Sequence, residues 1–164
     1  MTPGINAAKK AKISYTIHKY DHDPASDSYG TEAAQKMEIP GEQVFKTLVV
    51  SLDNGQLAVG VIPVTCMMNM KRMAKASGAK KAAMATPSDV VRSTGYVLGG
   101  VSPLGQKKRL TTIIDASAQN FSTIYVSAGR RGLEIELLPG DLEKLTRGIF
   151  KSITDDQAKP RIVG

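Results

Sequence analysis

Two residue types that often carry catalysis or hold metals are nearly missing from this chain of 164 residues, which has one cysteine, Cys66, and two histidines, His18 and His22. A single cysteine makes no intramolecular disulfide and supplies no zinc site alone, as suits a reducing compartment. The histidines stand four apart with Asp21 and Asp23 beside them. That spacing converges on a helix, but here it falls where a strand runs into an Asp-rich turn, so the rings are not expected to meet and no metal site is expected. No cofactor is expected either. No apolar run approaches the roughly 20 residues needed to span a bilayer, and the opening "MTPGINAAKKAK" lacks the apolar core of a signal peptide. The expected location is the cytoplasm, without a membrane partner. No repeat period and no linker rich in Pro, Gly or Ser is visible, so residues 1–164 are expected to form one domain with a loose tail over 154–164.

A hydrophobic content of 41% is enough to bury a core. The formal charge is +7 and the sequence pI about 9.5. The cations cluster: Lys9, Lys10 and Lys12; Lys71 and Arg72; Lys80 and Lys81; Lys107, Lys108 and Arg109; Arg130 and Arg131. An anionic partner such as nucleic acid is one explanation and a merely solvated basic surface the other.

Residues 4–11 read as a short helix, and "KISYTIHKY" places Ile13, Tyr15 and Ile17 on one face, as a half-buried strand does. Residues 31–37 read as a second helix. "VFKTLVVSL" and "QLAVGVIPV" flank Asn54-Gly55, a strong hairpin signal, and so predict an antiparallel pair. Residues 69–76 fit a helix stopped by Gly78; Thr86, Pro87 and Asp89 supply the cap, first-turn proline and acidic position of another that ends before Gly95. "TTIID", "STIYVSA" and "LEIELL" predict three more strands, and Pro139 and Asp141 open a last helix expected to run to about Phe150. Strands outnumber helices and a hairpin is explicit, so the expected class is α+β: a curved, barrel-like mixed sheet surrounded by helices.

"GGVSPLGQKKRL" resembles a phosphate loop out of register. Gly100 and Gly105 have the spacing of G-x-x-x-x-G-K-[ST], yet Gln106 and Lys107 follow where lysine and a hydroxyl are required. Pro103 also removes an amide hydrogen from the segment. NTP hydrolysis is thereby disfavoured. The glycines instead serve either a tight connection or a bare backbone whose amides meet a carbonyl or developing oxyanion. Lys46 interrupts the apolar run "VFKTLVV" with the parity of Val44 and Leu48, and a lysine on an apolar face needs a polar or anionic partner. Cys66, among Val64, Met67 and Met68, reads as a small inert hydrophobe, and no G-x-S-x-G elbow is present. The chain thus shows no obvious nucleophile of its own.

Taken together, "YDHD" at residues 20–23, "QVFKTLVV", "RSTGYVLGGVSPLGQKKRL", "TIIDASAQ" and "TIYVSAGRRGLEIEL" resemble the YbaK family of aminoacyl-tRNA deacylases, over about residues 3–150. The likeness is to the branch that hydrolyses cysteinyl-tRNA(Pro), relatives of the editing domain inserted in prolyl-tRNA synthetases. It implies a pocket in which Lys46 contacts the terminal tRNA region while Gly99, Gly100, Val101, Ser102 and Pro103 border the aminoacyl group. It further implies that Tyr20, Tyr29, Thr47, Ser127 and Glu134 line the pocket. Two positions depart from the pattern: Glu134 stands where close relatives often have aspartate, and Tyr29 where some have phenylalanine.

The expected activity is trans-editing of cysteinyl-tRNA(Pro) by substrate orientation and backbone stabilisation of an oxyanion, with the substrate thiol attacking its own ester. Lys107, Lys108, Arg109, Arg130 and Arg131 would meet tRNA phosphates. The resemblance adds prolyl-tRNA synthetase as a partner. Alternatives are a deacylase for another mischarged species such as Ala-tRNA(Pro), or a tRNA-binding module without catalysis.

Overall fold

The computed structural model describes residues 1–26 and 29–156; the side chain of Tyr29 also lies outside the described part. Helix α1 (Pro3–Ala11) starts on Thr2, whose hydroxyl accepts from the Ile5 amide at 3.2 Å and donates to the Ala128 carbonyl, fastening the helix to a distant strand. Strand β1 (Tyr15–Lys19) sets Tyr15 and Ile17 against the core, and Ile13 just before it packs there too, as their alternation predicts. Helix α2 (Tyr29–Met37) precedes the hairpin of β2 (Phe45–Leu52) and β3 (Leu57–Pro63), which turns through Gly55 at a φ of 85°. Asn69 caps α3 (Met70–Ala76), and strand β4 (Ala82–Met84) follows. Thr86 caps α4 (Pro87–Thr94) by accepting from the Asp89 amide at 3.2 Å, and Gly95 ends that helix in the left-handed region. The chain then forms β5 (Thr111–Asp115), β6 (Ile124–Arg130), β7 (Leu133–Leu137), α5 (Pro139–Thr146) and β8 (Ile149–Lys151).

The last helix is shorter than its apolar spacing predicts. It stops at Thr146 because Arg147 turns left-handed, with φ 52°, and Gly148 packs against the Thr112 carbonyl of β5, where a Cβ would stand 3.1 Å away. Ile149 and Phe150 then extend as β8 beside β5.

The expected single barrel-like sheet is instead two sheets. The larger has the order β4-β2-β3-β5-β8, with antiparallel pairing up to β3 and parallel pairing beyond; the smaller, β1-β7-β6, is antiparallel throughout. One parallel bridge, Val44 to Tyr125, links them. Closure would need a continuous ladder between β2 and β6, and that gap remains open. The class is α+β, as expected.

The main core lies between the sheets. Phe45, Val49, Val59, Val61 and Ile114 face Ile124, Val126 and Ile135 across it. The other face of the large sheet, with Val50, Ile62 and Ile113, packs on Met73 of α3 and on Ile153. β2 therefore buries apolar side chains on both faces at Val49, Val50 and Leu52, which makes Lys46 and Thr47 conspicuous near its start. The segment expected to be loose is tethered where it begins: the Asp155 amide donates to the Met67 carbonyl at 2.9 Å, and Arg72 donates to the Thr154 carbonyl at 2.8 Å. Residues 157–164 lie outside the described part. Among the described residues no helix is long and apolar enough to cross a membrane.

Candidate active site

β3 pairs with β2 along its length, but on the other side β4 reaches only residues 50–52. Residues 45–48 thus present a strand edge without a backbone ladder to β6, whose pairing is confined to Val44 just before them. Beside this edge is a cleft of about 280 Å³. β2 contributes Lys46 and Thr47; β6 and β7 contribute Ser127 and Glu134; Tyr20 comes from the turn after β1. Leu98, Gly99 and Val101 close one side, and Arg130 and Arg131 stand at its border, both exposed.

The Tyr20 turn is held from two directions. The Tyr20 amide donates to the Gly132 carbonyl at 3.0 Å. Two residues on, His22 Nδ1 lies 2.6 Å from the buried carboxylate of Glu32, which also accepts from the Asp23 amide at 3.0 Å. Burial works against ionisation of Glu32, yet these hydrogen bonds keep its carboxyl below the usual range. His18 points elsewhere, with Nε2 2.9 Å from Glu136, so the two rings bind different carboxylates. Among the described residues no group of three His, Cys, Asp or Glu is placed to hold a metal.

Two residues of the cleft are electrostatically unusual. Glu134 is 7% exposed, and burial pushes its carboxyl up to about 8, so it is largely neutral at pH 7. Burial also lowers the Lys46 ammonium, opposed by its charge interaction with Cys66. The Tyr20 phenol is pushed up to about 12, first by burial and then by Glu134. The Oε2 atom of Glu134 and the Oγ1 atom of Thr47 are buried without hydrogen-bond partners. Such atoms cost stability unless something else pairs with them.

Of the residues singled out in the sequence, Tyr20, Lys46, Thr47, Gly99, Val101, Ser127, Arg130, Arg131 and Glu134 come together here. Others stand apart. Ser102 is fully buried, its hydroxyl accepting from the Leu104 amide at 3.2 Å, and serves the turn itself. Pro103, Lys108 and Arg109 border a separate hollow of about 90 Å³, and Lys107 is exposed outside the cleft. A Cβ on Gly100 would stand 2.9 Å from the Arg130 Cα, so its missing side chain admits the β6 backbone and not a ligand. Its amide is likewise engaged, donating to the Val97 carbonyl at 3.0 Å. The side chain of Tyr29, also expected to line the pocket, lies outside the described part. Sequence reasoning missed Phe45, Leu48 and Leu98 as lining residues; the signal for Leu98, an apolar residue left 47% exposed beside Gly99, exists only in the fold.

A larger hollow of about 440 Å³ includes half-buried Cys66 in its wall. Its buried carboxylate is already used: Asp115 accepts from the Ile153 amide at 3.0 Å and from the Ser117 hydroxyl at 2.6 Å. Arg72, also in that wall, pairs with Asp156 at 3.1 Å. The smaller cleft, with its unpaired buried groups, is the better candidate for chemistry.

The profile of the "Aminoacyl-tRNA editing domain" family matches residues 22–145. The chain belongs to that family. It is 38% identical over 154 residues, 93% of each chain, to an Enterococcus faecalis protein provisionally named the Cys-tRNA(Pro)/Cys-tRNA(Cys) deacylase EbsC. It is 26% identical over 97 residues to a Proline--tRNA ligase of Trichlorobacter lovleyi, covering 59% of this chain and 17% of the ligase. The fold superposes with a TM-score of 0.79 on the crystal structure of a provisionally assigned trans-editing enzyme for prolyl tRNA synthetase, at 20% identity, covering 95% of this chain and 99% of the other. The family's matched segment contains every cleft residue named above except Tyr20.

Proposed function

We propose that this member of the editing family is an aminoacyl-tRNA deacylase that acts in trans on mischarged cysteinyl-tRNA(Pro). The observation that carries the reading is the cleft itself: a half-buried lysine at a partly unpaired strand edge and the glycine loop line one space of about 280 Å³. The 38% identity to the Enterococcus faecalis protein supports the choice of substrate, and the segment shared with a Proline--tRNA ligase supports prolyl-tRNA synthetase as a working partner.

Lys46, with Arg130 and Arg131 at the border, takes the terminal phosphate and ribose. The ester carbonyl points to the loop. Since the Gly100 amide is committed to Val97, oxyanion stabilisation falls to the amides of Gly99 and Val101. The substrate thiol then attacks its own carbonyl carbon. A sulfur–carbon bond forms, the bond from that carbon to the ribose oxygen breaks, and the thiol proton ends on the ribose oxygen. Water opens the resulting thiolactone to free cysteine. The protein orients the reactants and needs no nucleophile of its own.

The test is a deacylation assay over cysteinyl-, seryl-, alanyl- and prolyl-tRNA with the wild type and Lys46→Ala. Fast release of cysteine, slow release of serine, and loss of at least about 100-fold in the variant with an unchanged melting temperature are expected. Preferred cleavage of alanyl-tRNA would reassign the substrate; tight, salt-sensitive binding without cleavage would make the protein a binding module.

A further inference from the structure

Among the described residues, three buried side-chain polar atoms lack a hydrogen-bond partner: Ser77 Oγ, at the end of α3, and Thr47 Oγ1 and Glu134 Oε2, which both belong to residues lining the cleft. The pairing of orphaned atoms in one cleft is the unexplained feature of the site. Glu134 sits on the central strand of the small sheet, in register with Ser127 on one side and His18 on the other, so its backbone is fixed. It is more than nine-tenths buried, and no cation balances it: burial alone sets its ionisation. A ligand that enters the cleft can supply the missing partner, and a basic group can both accept the carboxyl proton and then donate back to the carboxylate.

An aminoacyl ester has few polar groups. In the reading above, which this step rests on, the carbonyl goes to the loop amides, the phosphate and ribose go to the cations, and the thiol attacks. The α-amino group is left. It is a donor to a carboxyl and to a hydroxyl, and it is absent or blocked in the esters a cell must not confuse with an aminoacyl end, such as N-acylated and peptidyl ones. We infer that Glu134 and Thr47 form the receptor for the free α-amino group of the substrate, making that group a specificity requirement of the enzyme.

Proton accounting supports this pairing. A carboxyl near 8 and an amine of ordinary α-amino basicity, about 7.7–8.0, are matched, so a neutral acid meeting a neutral amine can become a carboxylate–ammonium pair with one shared proton. The buried acid is thus carried without charge while the cleft is empty and paired when it is filled. An aspartate, one methylene shorter, would reach less far from the same strand.

The experiment compares cysteinyl-tRNA with desamino-cysteinyl-tRNA, which carries a 3-mercaptopropionyl ester and so retains thiol and carbonyl, with each rate divided by that of spontaneous hydrolysis. The wild type is expected to favour the cysteinyl ester by at least about tenfold, the size of one hydrogen bond to a charged group, and Glu134→Gln to lose most of that preference. Thr47→Val, which keeps the side-chain shape, should reduce the same ratio, and serves if the Gln variant does not fold. Equal relative rates for the two esters in the wild type, or a preference untouched in both variants, would overturn the receptor while leaving the deacylase intact. Failure of the wild type to cleave either ester would overturn both.

Discussion

Glu134 holds a carboxyl that is almost wholly removed from water with no cation to balance it, and the consequence for stability has a definite sign. Its ordinary value is 4.5 and its value in the fold about 8. Below pH 4.5 the group is neutral in both the folded and unfolded chains and makes no difference. As pH rises from 4.5 towards 8 the unfolded chain ionises while the folded one does not, so stability drains away through that window. Glu134→Gln removes the titration. Its melting temperature should match the wild type near pH 4.5 and exceed it by several degrees at pH 8, and a difference independent of pH would mean that the carboxyl is not buried as described. Lys46 is the complementary case. Its parity in "VFKTLVV" marks it as misplaced in the sequence, but the partly unpaired edge beside it, which gives the side chain somewhere to go, is visible only once β4 is seen to stop short.

At the scale of the element, the 99–103 loop is held by its own hydrogen bonds and by β6. The Tyr96 hydroxyl donates to the Leu104 carbonyl at 2.6 Å, Ser102 accepts from the Leu104 amide, and Gly100 abuts the Arg130 backbone. Gly100→Ala should therefore cost about 1–3 kcal/mol by overpacking, read as a lower denaturant midpoint, with lost deacylation following from a displaced loop. Unchanged stability with lost activity would place a ligand against Gly100 after all. The helices capped by Thr86 and Asn69 and the Asn54-Gly55 hairpin were legible because cap and turn chemistry is local. β8 was not: Ile149 and Phe150 continue the apolar spacing of α5, and only the left-handed Arg147 and the space beside β5 convert them to a strand.

For the whole molecule, the formal charge is +7, and among the described residues cations border more than one hollow. Arg130 and Arg131 border the cleft, whereas Lys108 and Arg109 flank a different hollow. Binding of tRNA should weaken with salt, and Arg130→Gln with Arg131→Gln should flatten the slope of log affinity against log salt by roughly 1.4 to 1.8, the release of about two phosphate contacts. The Lys107 and Lys108 double replacement should flatten it less. The reverse order in a filter-binding salt titration would place the tRNA backbone over the other loop.

The sequence by itself determined the local events: where most helices start, where the hairpin turns, the excess of positive charge, and the scarcity of nucleophiles. Through motif resemblance it also assembled most of the residues that meet in the cleft. Only the tertiary structure decided that two sheets form instead of a closed barrel, that Ser102 and Gly100 serve the loop's own packing, and that Glu134 and Thr47 are left without partners. The division has a physical cause. Caps and turns are settled within a few residues, whereas burial, register and the pairing of polar atoms depend on which distant strands arrive at the same place.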